Sequence, residues 1–105
     1  MNPKVCENWE KSLQAFKAAK TAFENNEPDS EVKKELWMAI CYGQLAMREL
    51  GQGGEESLIA AGAAIDNLSQ LDRLGTRQAI DITLKALKEY QNLVPKEYYL
   101  PVPPD

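Results

Sequence analysis

The chain contains no histidine. That absence removes the commonest general base and the commonest metal ligand together, so Ser-His-Asp and Cys-His nucleophiles and imidazole zinc sites are excluded. The Glu-x-x-His pairs of a di-iron bundle are excluded with them. Cysteine is almost as scarce. Cys6 and Cys41 are the only two, too few for a thiolate zinc site. Without an export signal they are expected to be reduced and packed, Cys41 as a small core residue of a helix rather than half of a disulfide.

Long apolar runs are missing as well. The start, MNPKVCENWE, lacks the basic residues and apolar stretch of a signal peptide, and the longest apolar windows are broken by Gln44, Arg48 or Asp66. No membrane partner and a cytoplasmic location are therefore expected. Clustered positive charge is absent too. Twelve Lys and Arg stand against sixteen Asp and Glu, giving a net charge of -4 and a pI near 4.9. The densest basic pair, Lys33-Lys34, is flanked by Glu31 and Glu35. Such interleaving cannot displace many counterions, so nucleic acid is not expected as a partner. The stretch AAIDNLSQLDRLGTRQAIDITLKAL could be drawn as a helix-turn-helix, but its second half offers a groove only Thr76, Arg77, Gln78, Asp81 and Lys85.

Other site chemistries fail on spacing. DNLSQLD lacks the alternating oxygen ligands and glycine of a calcium loop. GQGGEE lacks the lysine of a phosphate-binding loop, and Glu55 and Glu56 would repel a phosphate. No cofactor and no metal are expected. Carboxylates remain for acid-base work, but Glu31 with Glu35, and Glu7 with Lys11, sit one turn apart among polar neighbours and read as solvated helix faces. An enzyme using acidic residues or Cys41 is the least favoured reading.

What the sequence does contain is helical periodicity without any strand alternation. At 105 residues it makes one domain. A first segment opens at Asn2-Pro3, a cap followed by a residue suited to the first turn, and sets Val5, Trp9, Leu13, Phe16 and Phe23 on one face. NNEPDS stops it, and Asp29 or Ser30 is expected to cap the next segment, residues 31–50. There Val32, Leu36, Ala39, Ile40, Gly43, Met47 and Leu50 share a face that Trp37, Cys41 and Leu45 widen, as in a central helix touched on more than one side. GQGG ends it, and ESLIAAGAAIDNLSQLDRL forms a third segment rich in small residues. Gly75-Thr76 reads as a helix end followed by a new cap, with a fourth segment over residues 77–93; one long helix over residues 55–93, bent at Gly75, is the alternative.

The expected architecture is all-α: a four-helix bundle, or two stacked helical hairpins, over residues 1–94, with an extended Pro/Tyr-rich tail over 95–105. SLQAFKAAKTAFENNEPD resembles the second helix of tetratricopeptide-type repeats in its small, aromatic and proline spacing. No second copy follows at about 34 residues, so the stretch is read as generic hairpin packing.

With chemistry largely excluded, recognition is the residual function. The expected role is a small acidic, non-enzymatic adaptor, chaperone or inhibitor that binds another protein. An obligate homo-oligomeric subunit, for instance a homodimer, is the alternative. Aromatic side chains are favoured interface anchors because they bury much area for little rotamer entropy. The candidates are Trp9, Trp37, Tyr42 and Tyr90, with Tyr98, Tyr99 and Leu100 in the tail. Both tryptophans could equally be core. The tail, LVPKEYYLPVPPD, has no helical periodicity and few donor amides; it is expected either to strap the bundle, or to meet a partner, or to stay disordered.

Overall fold

A computed structural model describes residues 3–51, 56–67 and 73–91 and places them in four helices: α1 (Pro3–Glu24), α2 (Asp29–Leu50), α3 (Glu56–Asn67) and α4 (Arg73–Gln91). The all-α helical bundle expected from periodicity is the fold observed, with no strand among the described residues. The proposed Asn2 cap lies outside the described residues, as do residues 92–105.

Helices α1 and α2 form the most closely packed hairpin. Val5, Trp9, Leu13 and Phe16 are buried along α1, and Ala15, Ala19 and Ala22 let the two backbones approach. The turn between them closes with a Schellman motif. Asn26 takes left-handed φ of 58°, its N–H donates to the Phe23 carbonyl at 3.1 Å, and the Glu27 N–H donates to the Ala22 carbonyl at 3.0 Å. Asparagine tolerates that conformation better than other side chains, so NNEP ends α1 by a specific geometry rather than by fraying. The start of α2 corrects the sequence reading. Pro28, extended at φ -52° and ψ 138°, occupies the cap position, and no side chain caps the helix. Asp29 is the first helical residue, so with Glu31 it contributes negative charge to the first turn instead of a cap.

Helix α2 is central, packing against α1, α3 and α4. Its buried arc runs through Leu36, Ala39, Ile40, Gly43, Ala46 and Met47. On one side the buried Ser12 hydroxyl of α1 donates to the Ala39 carbonyl. On the other, Leu58 of α3 seats against Gly43, and a Cβ built on Gly43 would lie 3.3 Å from both Leu58 Cδ1 and Ser12 Oγ. One residue without a side chain thus sets the spacing of three helices. A second close approach joins Gly62 of α3 to the Trp37 ring, 3.1 Å from a built Cβ. The pairings 43 with 58 and 37 with 62 make α3 antiparallel to α2. At the end of α2, Gly51 at φ 74° shares its N–H between the Met47 and Arg48 carbonyls, both at 3.1 Å.

The break expected at Gly75-Thr76 is not there. Helix α4 already begins at Arg73, and both residues lie in its first turn. The physical reason is packing. Thr76 is buried on the same face as Ile80 and Thr83, so continuing the helix gains core contacts that outweigh about 1 kcal/mol of glycine cost. The single long helix is excluded too. Residues 57 and 90 would lie about 50 Å apart along one helix, whereas the Ser57 N–H donates to the Tyr90 hydroxyl at 3.1 Å. Helices α3 and α4 therefore form an antiparallel hairpin.

Arg73 ties this hairpin to the first. Its guanidinium donates to the Phe23 carbonyl at 2.9 Å and stacks 3.8 Å from the Phe23 ring centroid. The last turn of α1 has no basic residue of its own. Arg73, from the far hairpin, places positive charge at that helix C-terminus, where the macrodipole favours it.

Candidate functional site

The aromatic candidates separate sharply by burial. Trp9 is fully buried, and its indole N–H has no hydrogen-bond partner among the described residues. Tyr90 is 4% exposed, its hydroxyl accepting from Ser57 and so satisfying one of the orphan N–H groups that open α3. Both are core residues of the folded chain and cannot anchor a partner on its surface, which corrects the expectation for these two. Trp37 is half-buried over Gly62. Tyr42 is half-buried as well, with the Lys11 ammonium 5.6 Å from its ring centroid. Tyr98, Tyr99 and Leu100 lie outside the described residues.

Beside Trp37 and Tyr42, α2 presents further apolar side chains outward. Met38 is 38% exposed and Leu45 43% exposed, and Cys41 between them is exposed with a free thiol. Cys41 is therefore not the core residue that was expected. At about 100° per residue these positions fall on the side of α2 opposite Leu36 and Gly43. The three neighbouring helices are all accommodated by the buried arc, so nothing among the described residues covers this side. Met38, Cys41 and Leu45 make an apolar stripe spaced three and four residues apart. Lys34 precedes it by one turn and Arg48 follows it by one.

The stripe extends toward α3. Leu58 faces Gly43 and Gly62 faces Trp37, and Ile59 lies between these two contacts in sequence. Ile59 is 50% exposed. The Trp37 ring, packed on Gly62, joins this stripe to α3. Leu74, at the start of α4, is more exposed but stands apart, as single surface leucines often do.

Among the described residues no three His, Cys, Asp or Glu side chains gather as metal ligands. The ion pairs Glu7–Lys11 at 3.3 Å and Arg77–Asp81 at 3.4 Å are exposed one-turn pairs on helix faces. No described helix is long and apolar enough to cross a membrane. No protein-family model, curated protein or solved structure matches the chain.

Proposed function

We propose that the chain is a non-enzymatic helical interaction module, of the adaptor, chaperone or inhibitor kind, which binds another protein through the outward face of α2. The observation that carries this reading is the uncovered stripe Met38, Cys41 and Leu45. Apolar side chains at i, i+3 and i+7 on one helix are the arrangement that receives the apolar face of a partner element. Trp37 and Tyr42 add aromatic area at its margins, where anchors are effective. The missing histidine supports a binding role over catalysis.

The homo-oligomer alternative has less support. The buried arc of α2 is filled by three helices of its own chain, so no second copy is needed to complete the core. Light scattering at micromolar concentration is expected to give a monomer.

The test is recovery of a partner from native lysate by the unaltered chain beside the Met38→Glu, Leu45→Glu double variant. Both changes lie on an exposed face, so circular dichroism and melting should stay close to those of the unaltered chain. A partner recovered by the first and lost by the second supports the reading. Equal recovery by both places binding elsewhere.

A further inference from the structure

The apolar face of α2 has a second candidate occupant within the chain itself. We propose that residues 96–104 dock in cis along the Met38, Cys41 and Leu45 stripe, so that the tail competes with a protein partner for the same face. The inference takes from the functional reading only that this face is a docking surface.

The argument begins where the chain leaves the bundle. Tyr90 is fixed to Ser57 at the start of α3, and Leu58 is seated on Gly43. The end of α4 is therefore one helix away from the C-terminal half of α2. From Gln91 to Glu97 there are six residue steps, which reach about 20 Å when extended. A helix with its side chains is about 10–12 Å across, so half its circumference is about 16–19 Å, and this length suffices to pass round α3 to the edge it shares with the outward side of α2.

Composition and charge then set a direction. Tyr98, Tyr99 and Leu100 are apolar or amphipathic, and Pro101, Pro103 and Pro104 favour an extended backbone that asks for few hydrogen bonds. Proline-rich segments are recognised by aromatic-lined grooves, and this face is bordered by Trp37 and Tyr42. A segment arriving at the C-terminal end of α2 and running antiparallel to it brings Glu97 to Arg48 first. In an extended backbone alternate side chains share a side, so Tyr98, Leu100 and Val102 follow over Leu45, Cys41 and Met38 while Tyr99 turns to the margin, and Asp105 comes last toward Lys34. The lengths agree. Eight steps from Glu97 to Asp105 cover about 25 Å at polyproline rise, and fourteen helical steps from Arg48 to Lys34 cover about 21 Å.

Cys41 is the reporter, because the docked segment lies over it, while Cys6 on α1 is a control in the same molecule. Alkylation of each cysteine is followed by mass spectrometry in the full chain and in a full-length Tyr98→Ser, Tyr99→Ser, Leu100→Ser variant. Docking that holds about nine-tenths of the time predicts Cys41 about tenfold slower in the unaltered chain, with Cys6 unchanged and the protection independent of protein concentration. Equal Cys41 rates overturn the proposal. Protection that grows with concentration also overturns it, in favour of a second copy on the face. If both cysteines accelerate in the variant, its bundle has loosened, and the unaltered chain decides. Methyl-labelled Leu45 should then show contacts to Tyr98 ring protons, distinct from those of Tyr42 on its own helix, that do not depend on concentration, and their absence rejects docking. A null result here leaves partner recovery through Met38 and Leu45 intact, and loss of that recovery leaves the thiol measurement intact.

Discussion

Replacing Gly43 by alanine sets two opposed effects against each other, and the structure decides which wins. Alanine is favoured over glycine inside a helix by about 1 kcal/mol, so on propensity alone the variant is more stable. Its Cβ, however, would sit 3.3 Å from Ser12 Oγ and from Leu58 Cδ1, and 3.4 Å from Leu58 Cδ2. Neither neighbour has room to move. Both are fully buried, and the Ser12 hydroxyl is held by the Ala39 carbonyl. Overpacking in such a core costs about 1–3 kcal/mol. Taking the middle of that range, Gly43→Ala should lose roughly 1 kcal/mol net. In urea the midpoint should fall by roughly half to one molar with the slope unchanged, and the melting temperature should fall by about 4 °C. A Ser12→Ala background removes one of the two contacts while leaving the Ala39 carbonyl in its helical ladder. There the same glycine change should cost less, a coupling that a double-mutant cycle measures. A higher midpoint for Gly43→Ala, or an identical cost in both backgrounds, would refute the interlock of α1, α2 and α3 at this point.

Three further outcomes follow from the same geometry. Gly62→Ala presses on Trp37, which is only half-buried and can swing outward, so stability should change by less than about 0.5 kcal/mol while tryptophan emission shifts to the red; a loss several times larger would mean that the ring is locked in place. Tyr90→Phe leaves the Ser57 N–H without its acceptor and should cost about 1 kcal/mol, with faster amide exchange at Ser57, and unchanged exchange there would refute the capping role. Arg73→Ala should lose about 1 kcal/mol through the stack on Phe23 and the bond to its carbonyl. Arg73→Lys should fall in between, because lysine keeps the charge but not the planar fork, and equal midpoints for all three side chains would remove the clamp.

The bundle was legible because its signals are local. The spacing Val5, Trp9, Leu13, Phe16 on α1 follows from helix pitch alone, and the residues on it are buried as that spacing requires. The α3–α4 break was misplaced for a reason that no local rule contains. Gly75 carries a helix-ending signal, yet the burial of Thr76 beneath it and the attachment of Arg73 to Phe23, fifty residues away, extend α4 past it. Propensity was overridden by packing between segments distant in sequence. The same non-locality governs the candidate surface. Helix α2 is apolar around most of its circumference, so its sequence cannot say which side stays uncovered; that depends on where α1, α3 and α4 attach. The two small residues that fix those attachments, Gly43 and Ser12, read as a gap in the apolar face and as a polar position. Once they are recognised as the seat of Leu58 and the tie to Ala39, the buried arc is set. Met38, Cys41 and Leu45 are then left outside by elimination. Trp9 and Tyr90, which composition alone would nominate as anchors, are consumed by the core on the same grounds. The functional candidates of this chain are thus the apolar residues left over after packing, and they are found by locating its smallest side chains rather than its largest.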